Sequence, residues 1–274
     1  MVLSLGLLIF SFLVTSLLII PFINLLYRLK FTRKVESRTK TKKSLFDKLH
    51  DWKAGTPVGG GILIIGVVSV LFFALFPVLF YFGVNITTAY KLDSELRALF
   101  LAFVGFGLLG LYDDLVKFFG KPKKGQLGYI FGIGRRWKFL LQWIIAFIIA
   151  FWLWQGLSID ILYIPIAGIL LSLSWVYVLF AAFIIVAFTN AFNITDGLDG
   201  LAGGLLLICL FTFWIIASSS LDTPLSVFIS LWIGALFAFL YFNIWPARIW
   251  MGDSGALSFG ATLAVIGLIL GKTF

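Results

Sequence analysis

The chain has 274 residues, of which 61% are hydrophobic and 12% charged, with a mean hydropathy of +1.09. These values exclude an ordinary soluble domain, and the near absence of alternating apolar and polar strands excludes an outer-membrane barrel. The net charge of +9 invites a nucleic-acid reading, but its distribution excludes one: ten Lys/Arg lie in 28–56, seven in 113–138, and Arg248 brings eighteen of the 21 onto alternate loops. Lys91, Arg97 and Lys272 are the only basic residues elsewhere. This is the positive-inside pattern of a membrane protein.

Eight apolar runs of about 18 residues or more predict membrane helices. They centre on residues 5–26, 60–82, 96–112, 138–155, 168–189, 200–217, 225–242 and 256–271. The first lacks a basic leader, and Arg28, Lys30 and Arg33 follow it in place of a small-residue cleavage site, so it reads as a retained helix and not a signal peptide. Between the first two runs, Ser44–Trp52 is expected to form a short amphipathic interfacial helix. Residues 120–136, rich in Gly and Lys/Arg, read as a flexible basic loop. The β-branched stretch 157–166 reads as a small hairpin on the outer face. The charge bias places the N-terminus outside and the basic loops in the cytoplasm. The expected fold is therefore all-α, a polytopic membrane helical bundle of about eight spans forming one domain over 1–274. A single cysteine (Cys209) and a single histidine (His50) exclude a disulfide framework, a His/Cys metal cluster and a His-based triad.

Carboxylates near hydrocarbon are costly and point to function. Five aspartates sit where apolar runs meet loops on the cytoplasmic side. Asp113 and Asp114 end the third helix, with Lys117 within helical reach of either. One aspartate there is an ordinary helix terminus; two oppose the macrodipole and call for a cation. Asn190, Asn193, Asp196 and Asp199 follow the fifth helix and open the sixth. Asp196 would serve as an N-cap with Asp199 in a capping-box position, but capping does not require two asparagines. Such a turn suits a diphosphate or nucleoside. Asn243, Trp250 and Asp253 lie between the last two helices. Asp253 would cap the eighth helix or hold a metal; Trp250 would stack on a base or anchor at the interface. Lys53 and Thr56 precede the second helix, where Thr56-Pro57 reads as N-cap and N1, and three consecutive glycines suit close approach of backbone or ligand. Lys138 is either a positive-inside flank or a phosphate contact. Oxygen-only donors suit Mg²⁺, with Mn²⁺ as an alternative, through Asp253 first and Asp114 second.

Four motifs in this order carry a resemblance: K-A-G-T-P-V-G-G-G, D-D-L-V-K, N-I-T-D-G-L-D-G-L-A and M-G-D-S-G-A-L-S-F-G. Together they resemble the polyprenyl-phosphate N-acetylhexosamine-1-phosphate transferase superfamily, and within it the phospho-N-acetylmuramoyl-pentapeptide-transferase (MraY) family, over residues 28–270. The resemblance implies transfer from UDP-N-acetylmuramoyl-pentapeptide to undecaprenyl phosphate with Mg²⁺, giving lipid I and UMP for peptidoglycan. It implies a bacterial inner-membrane location with the site facing the cytoplasm; a homodimer is a further expectation. It makes Asp113, Asp114 and Asp253 catalytic, with Asp253 the Mg²⁺ ligand and Asp114 near the metal. Asn193, Asp196 and Asp199 then belong to the nucleotide side, and Lys117 and Lys138 to the diphosphate. Family members usually have ten helices and a histidine-rich loop before the last, so the resemblance implies that this chain lacks the C-terminal helices and is weak or inactive alone. The rival readings are a GlcNAc-1-phosphate transferase, an ion-coupled transporter and a non-catalytic remnant.

Overall fold

Inside hydrocarbon every backbone N–H and C=O must be satisfied within the chain, which for runs of this length means helices. The computed structural model describes residues 2–32, 55–119, 134–164 and 168–271. Among them lie eight helices long and apolar enough to span a bilayer. They are α1 (Val2–Arg28), α2 (Gly60–Tyr81), α3 (Leu92–Phe119), α4 (Arg135–Gly156), α5 (Val176–Thr195), α6 (Leu201–Ser219), α7 (Thr223–Asn243) and α8 (Gly252–Leu270). The all-α polytopic expectation is met. The Ser44–Trp52 segment, Lys53 and residues 120–133 lie outside the described residues.

Two boundaries depart from the hydropathy reading. α3 runs on to Phe119, so Asp113, Asp114 and Lys117 sit on the helix itself. The fifth helix starts at Val176, not at 168. Before it, β1 (Ile161–Ile164) pairs antiparallel with β2 (Ile169–Ser172), Ile161 opposite Ser172. The hairpin thus ends six residues later than expected. The chain turns near Gly168, at φ +64°, and the aliphatic residues after it form a strand although their hydropathy matches a helix.

α7 and α8 are the inner helices and are mostly buried. α7 packs on α1, while α8 packs on α5 and α3. At mid-height, Trp232 of α7 stands edge-on to Phe103 of α3 and tilted against Phe259 of α8, with 5.1 Å between centroids in both pairs. Such aromatic pairs add to the apolar contact between helices.

One end of the bundle gathers the end of α1, the start of α2, the end of α3 and the start of α8. There Phe31 packs on Phe118 at 4.5 Å, and Trp250 N–H donates to Pro57 O at 2.8 Å. The opposite end is tied by a polar latch. Thr223 N–H donates to Thr87 O at 2.9 Å, and Tyr90 Oη donates to Ile269 O at 3.1 Å. Asp222 caps α7 by accepting from Leu225 N–H at 3.1 Å, with Pro224 in the first turn. Glu95, fully buried, accepts from Thr88 Oγ1 at 2.6 Å, and the Asp222 carboxyl is its close acidic neighbour.

Burial pushes the Asp222 carboxyl up from its ordinary 3.8. Burial and the charges of Glu95 and Asp222 push the Tyr90 phenol up to about 12, so it stays a donor. A carboxyl whose pKa is raised in the folded state contributes most stability below its unfolded value. That contribution is lost as pH rises from about 3.8 through the raised pKa. Asp222→Asn keeps the cap and removes the titration. Melting curves in detergent are expected to show wild-type stability falling as pH is raised above 3.8, and a shallower slope in the variant. Equal slopes would contradict this account of the latch.

Candidate functional site

The site is assembled where α3 meets the N-terminus of α8. A helix start leaves unpaired N–H groups and a partial positive charge. Here the partner comes from another helix: Asp253 N–H donates to Asp114 Oδ1 at 3.3 Å and Ser254 N–H to Asp114 Oδ2 at 3.1 Å. Asp114 therefore caps α8, and Asp253, read from the sequence as a capping candidate, does not; the α8 cap residue, Met251, makes no side-chain cap bond. Close contact makes this work. A Cβ on Gly110 would lie 2.2 Å from Asp253 O, so the two backbones touch only because that Cβ is absent. One turn further along α3, Asp114 is level with the α8 amides.

With Asp114 holding the helix start, the Asp253 side chain is left to meet two lysines. Lys117 Nζ lies 2.9 Å from Asp113 Oδ2 and 2.7 Å from Asp253 Oδ2. Lys138, in the first turn of α4, reaches Asp113 Oδ2 at 2.9 Å and also bonds Asp253 Oδ2. Asn193 Nδ2, near the end of α5, lies 3.4 Å from Asp253 Oδ1. Four helices thus meet at one carboxylate. Asp113 and Asp114 are 1% and 2% exposed. The Asp253, Lys117 and Lys138 side chains are 19%, 27% and 18% exposed, so the cluster opens on that side.

Asn190 lies on α5, its Nδ2 donating to Gln142 Oε1 and to Val186 O, each at 2.8 Å. Asp196 ends α5 as its C-cap, its N–H bonded to Phe192 O at 3.0 Å. Neither Asp196 nor Asp199 caps α6, which starts after Gly200 at φ +74°. α5 runs through Thr195, so only a tight turn is left before α6. Asp199 Oδ2 accepts from Ala247 N–H at 3.1 Å. Asn243 is buried, its Oδ1 accepting from Gly200 N–H at 3.1 Å and its Nδ2 donating to Ile249 O at 2.9 Å. Asp199 and Asn243 lace the turn before α6 to the loop before α8. Trp250 is 4% exposed, and its O accepts from Gly59 and Gly60 N–H; its ring is packed away from solvent.

The Thr56-Pro57 cap reading is corrected. α2 begins at Gly60 behind Gly59 at φ +126°. Pro57 and Val58 are extended, bridged to Thr32 and Trp250. The three glycines do serve close approach: a Cβ on Gly61 would meet Gly255 Cα at 2.2 Å, and one on Gly60 would meet the Phe239 ring at the same distance. Lys53 is not among the described residues.

Sequence reasoning missed three residues. Gln142 is 1% exposed and lies four residues after Lys138 on an apolar helix; a lone amide in hydrocarbon was the available signal. Ser254 Oγ is buried with no hydrogen-bond partner among the described residues, a detail that only coordinates reveal. Gly110 carries no signal of its own within a glycine-containing apolar run.

No group of three or more Asp, Glu, His or Cys among the described residues is arranged to enclose a metal ion by itself. Asp253 and Asp114 do offer oxygen-only donors, and Asp253 Oδ2 already gathers two ammonium groups. That chemistry fits a hard divalent cation completed by ligand phosphates.

Fold and site define a polytopic helical membrane protein with a lysine–aspartate cluster at one end of the bundle. Residues 96–271 match the family described as Glycosyl transferase family 4. Over 262 residues the chain is 32% identical to the phospho-N-acetylmuramoyl-pentapeptide-transferase of Listeria welshimeri, covering 95% of this chain and 73% of that protein. It is 34% identical to the protein of that name from Geobacillus kaustophilus, covering 94% and 72%. The Lactobacillus johnsonii protein of the same name is 36% identical over 81% of this chain and 64% of its own length. The chain belongs to glycosyl transferase family 4, in the group of the phospho-N-acetylmuramoyl-pentapeptide-transferases.

Proposed function

We propose that the protein transfers phospho-N-acetylmuramoyl-pentapeptide from its UDP-linked donor to undecaprenyl phosphate, giving lipid I and UMP. The reaction would take place at the cytoplasmic face of the bacterial inner membrane. The observation that carries this reading is the convergence of Lys117 and Lys138, from two helices, on Asp113 and Asp253 at the start of α8. The curated relatives' shared name supplies the substrate. The face carrying the site is the one the positive-inside pattern assigns to the cytoplasm, where a soluble nucleotide meets a membrane lipid. This placement at one end also argues against a transporter, whose carboxylates would sit near mid-membrane.

In the chemical step an oxygen of the lipid phosphate attacks the donor's β-phosphorus. The bond from that phosphorus to the bridging oxygen breaks, and UMP leaves with the electron pair. A phosphate monoester has a second pKa of about 6, so the nucleophile is already ionised near neutrality and needs no strong base. Asp113, buried and bonded to both lysines, then acts by holding their ammonium groups in place. Lys117 and Lys138 neutralise charge on the phosphoryl oxygens, and such fixed charges dominate catalysis of phosphoryl transfer. Asn190, Asn193 and Asp196 lie along the end of α5, on the nucleotide side. Mg²⁺, with Mn²⁺ as a substitute, would be held by Asp253 with Asp114 behind it, and would supply charge neutralisation on the diphosphate.

The test is donor and acceptor selectivity in detergent micelles. UMP release from UDP-N-acetylmuramoyl-pentapeptide is expected only when polyprenyl phosphate is present, with UDP-GlcNAc a poor donor. Preference for UDP-GlcNAc would assign the protein to the other branch of the superfamily. UMP release without lipid would indicate hydrolysis instead of transfer.

A further inference from the structure

The carboxylate best placed for a metal is also bonded by two lysines. Lys117 Nζ and Lys138 Nζ both bond Asp253 Oδ2, and each keeps a second anchor on Asp113 Oδ2 at 2.9 Å. The lysines come from α3 and α4, so neither helix fixes the other's ammonium group. The two ammoniums balance the charges of Asp113 and Asp253. A divalent cation at Asp253 would meet two positive charges already on one of its two oxygens, Oδ2, in a cluster where bulk salt screens poorly.

We propose that Lys117 and Lys138 are built-in counter-cations of Asp253, displaced when a divalent cation binds there and then presented, still tethered to Asp113, to the diphosphate. The proposal rests on the metal reading above. It makes the metal-free protein hold its own lysines in reserve. Metal and diphosphate then favour each other's binding, and neither binds well alone. Linkage requires that coupling to be reciprocal. The lysines thus become the element that joins the two ligands, beyond their role as static phosphate contacts.

Two measurements on the full chain in detergent test this. The first is Mn²⁺ binding by electron paramagnetic resonance without nucleotide, in wild type, Lys117→Met, Lys138→Met and Asp253→Asn. Each lysine variant is expected to bind Mn²⁺ about tenfold more tightly than wild type, within the roughly 5–150-fold range of coupled sites. Asp253→Asn should abolish the site. The second needs no variant: amine labelling of the wild type, read by mass spectrometry with and without Mg²⁺. Labelling of Lys117 and Lys138 should rise several-fold with Mg²⁺, while exposed Lys91 stays constant. Asp253-dependent Mn²⁺ binding that is equal in all lysine variants, or labelling indifferent to Mg²⁺, would overturn the displacement and leave the metal reading standing. An absence of saturable Mn²⁺ binding in wild type and lysine variants alike would remove the metal reading and this proposal with it.

Discussion

Asp253→Asn is expected to lower transferase turnover by about 10²-fold or more, comparable to losing a key electrostatic group in other active sites, while helical content and melting temperature stay close to wild type. The separation of the two effects follows from the division of labour at the start of α8. Asp114, not Asp253, accepts from the first amides of that helix, so the fold does not depend on the Asp253 charge. Lys117 and Lys138 each keep their contact with Asp113, although the two ammoniums then share its single charge. Steady-state UMP release together with circular dichroism checks both halves. A variant keeping more than about a tenth of wild-type turnover would show that Asp253 is not the central electrostatic group.

The second large effect is expected at a residue with no chemistry. Gly110→Val would drive a side chain into the backbone at Asp253, since even a Cβ there falls 2.2 Å from Asp253 O. Overpacking of this kind costs about 1–3 kcal/mol, and relief requires α3 and α8 to separate. Separation takes Asp114 off the amides of Asp253 and Ser254 and pulls Asp113 and Lys117 away from Asp253. Activity should fall about as far as in Asp253→Asn, but now with a lowered melting temperature. Gly204→Ala on α6, where nothing lies within 4 Å of the added Cβ, is the matched control and should be silent. Normal activity in Gly110→Val would mean that the site tolerates a wider α3–α8 spacing.

The spans were legible because hydrocarbon imposes a single rule, length times apolarity, and all eight described spans overlap the runs read from hydropathy. The rule fails where it does not apply. Ile169–Ser172 is apolar enough for a helix but pairs with Ile161–Ile164, a choice set by a turn and not by hydropathy. Asp113, Asp114, Lys117, Lys138 and Asp253 could be singled out because charge beside hydrocarbon is costly. Which of them touch could not be read, since contact between residue 117 and residue 253 depends on helix packing. The same gap explains the capping errors. Thr56, Asp196 and Asp253 all have the residue type of a cap, yet α2 and α6 start behind glycines and α8 is capped from α3. Local sequence rules assume that a helix supplies its own cap. Asn243 and Asp199 also lace two loops together, a structural role that residue type alone does not separate from ligand binding.

The cap that α3 lends to α8 has a consequence for how this protein is made. Membrane helices insert individually and associate afterwards. When α8 first enters the bilayer, its leading amides have no partner of their own, and Asp114 has been waiting on a helix inserted five spans earlier. The reactive cluster comes into existence only at the moment of docking. Helix content therefore reports insertion, and catalysis reports association. A detergent or lipid that loosens the α3–α8 contact silences the enzyme while leaving every helix in place.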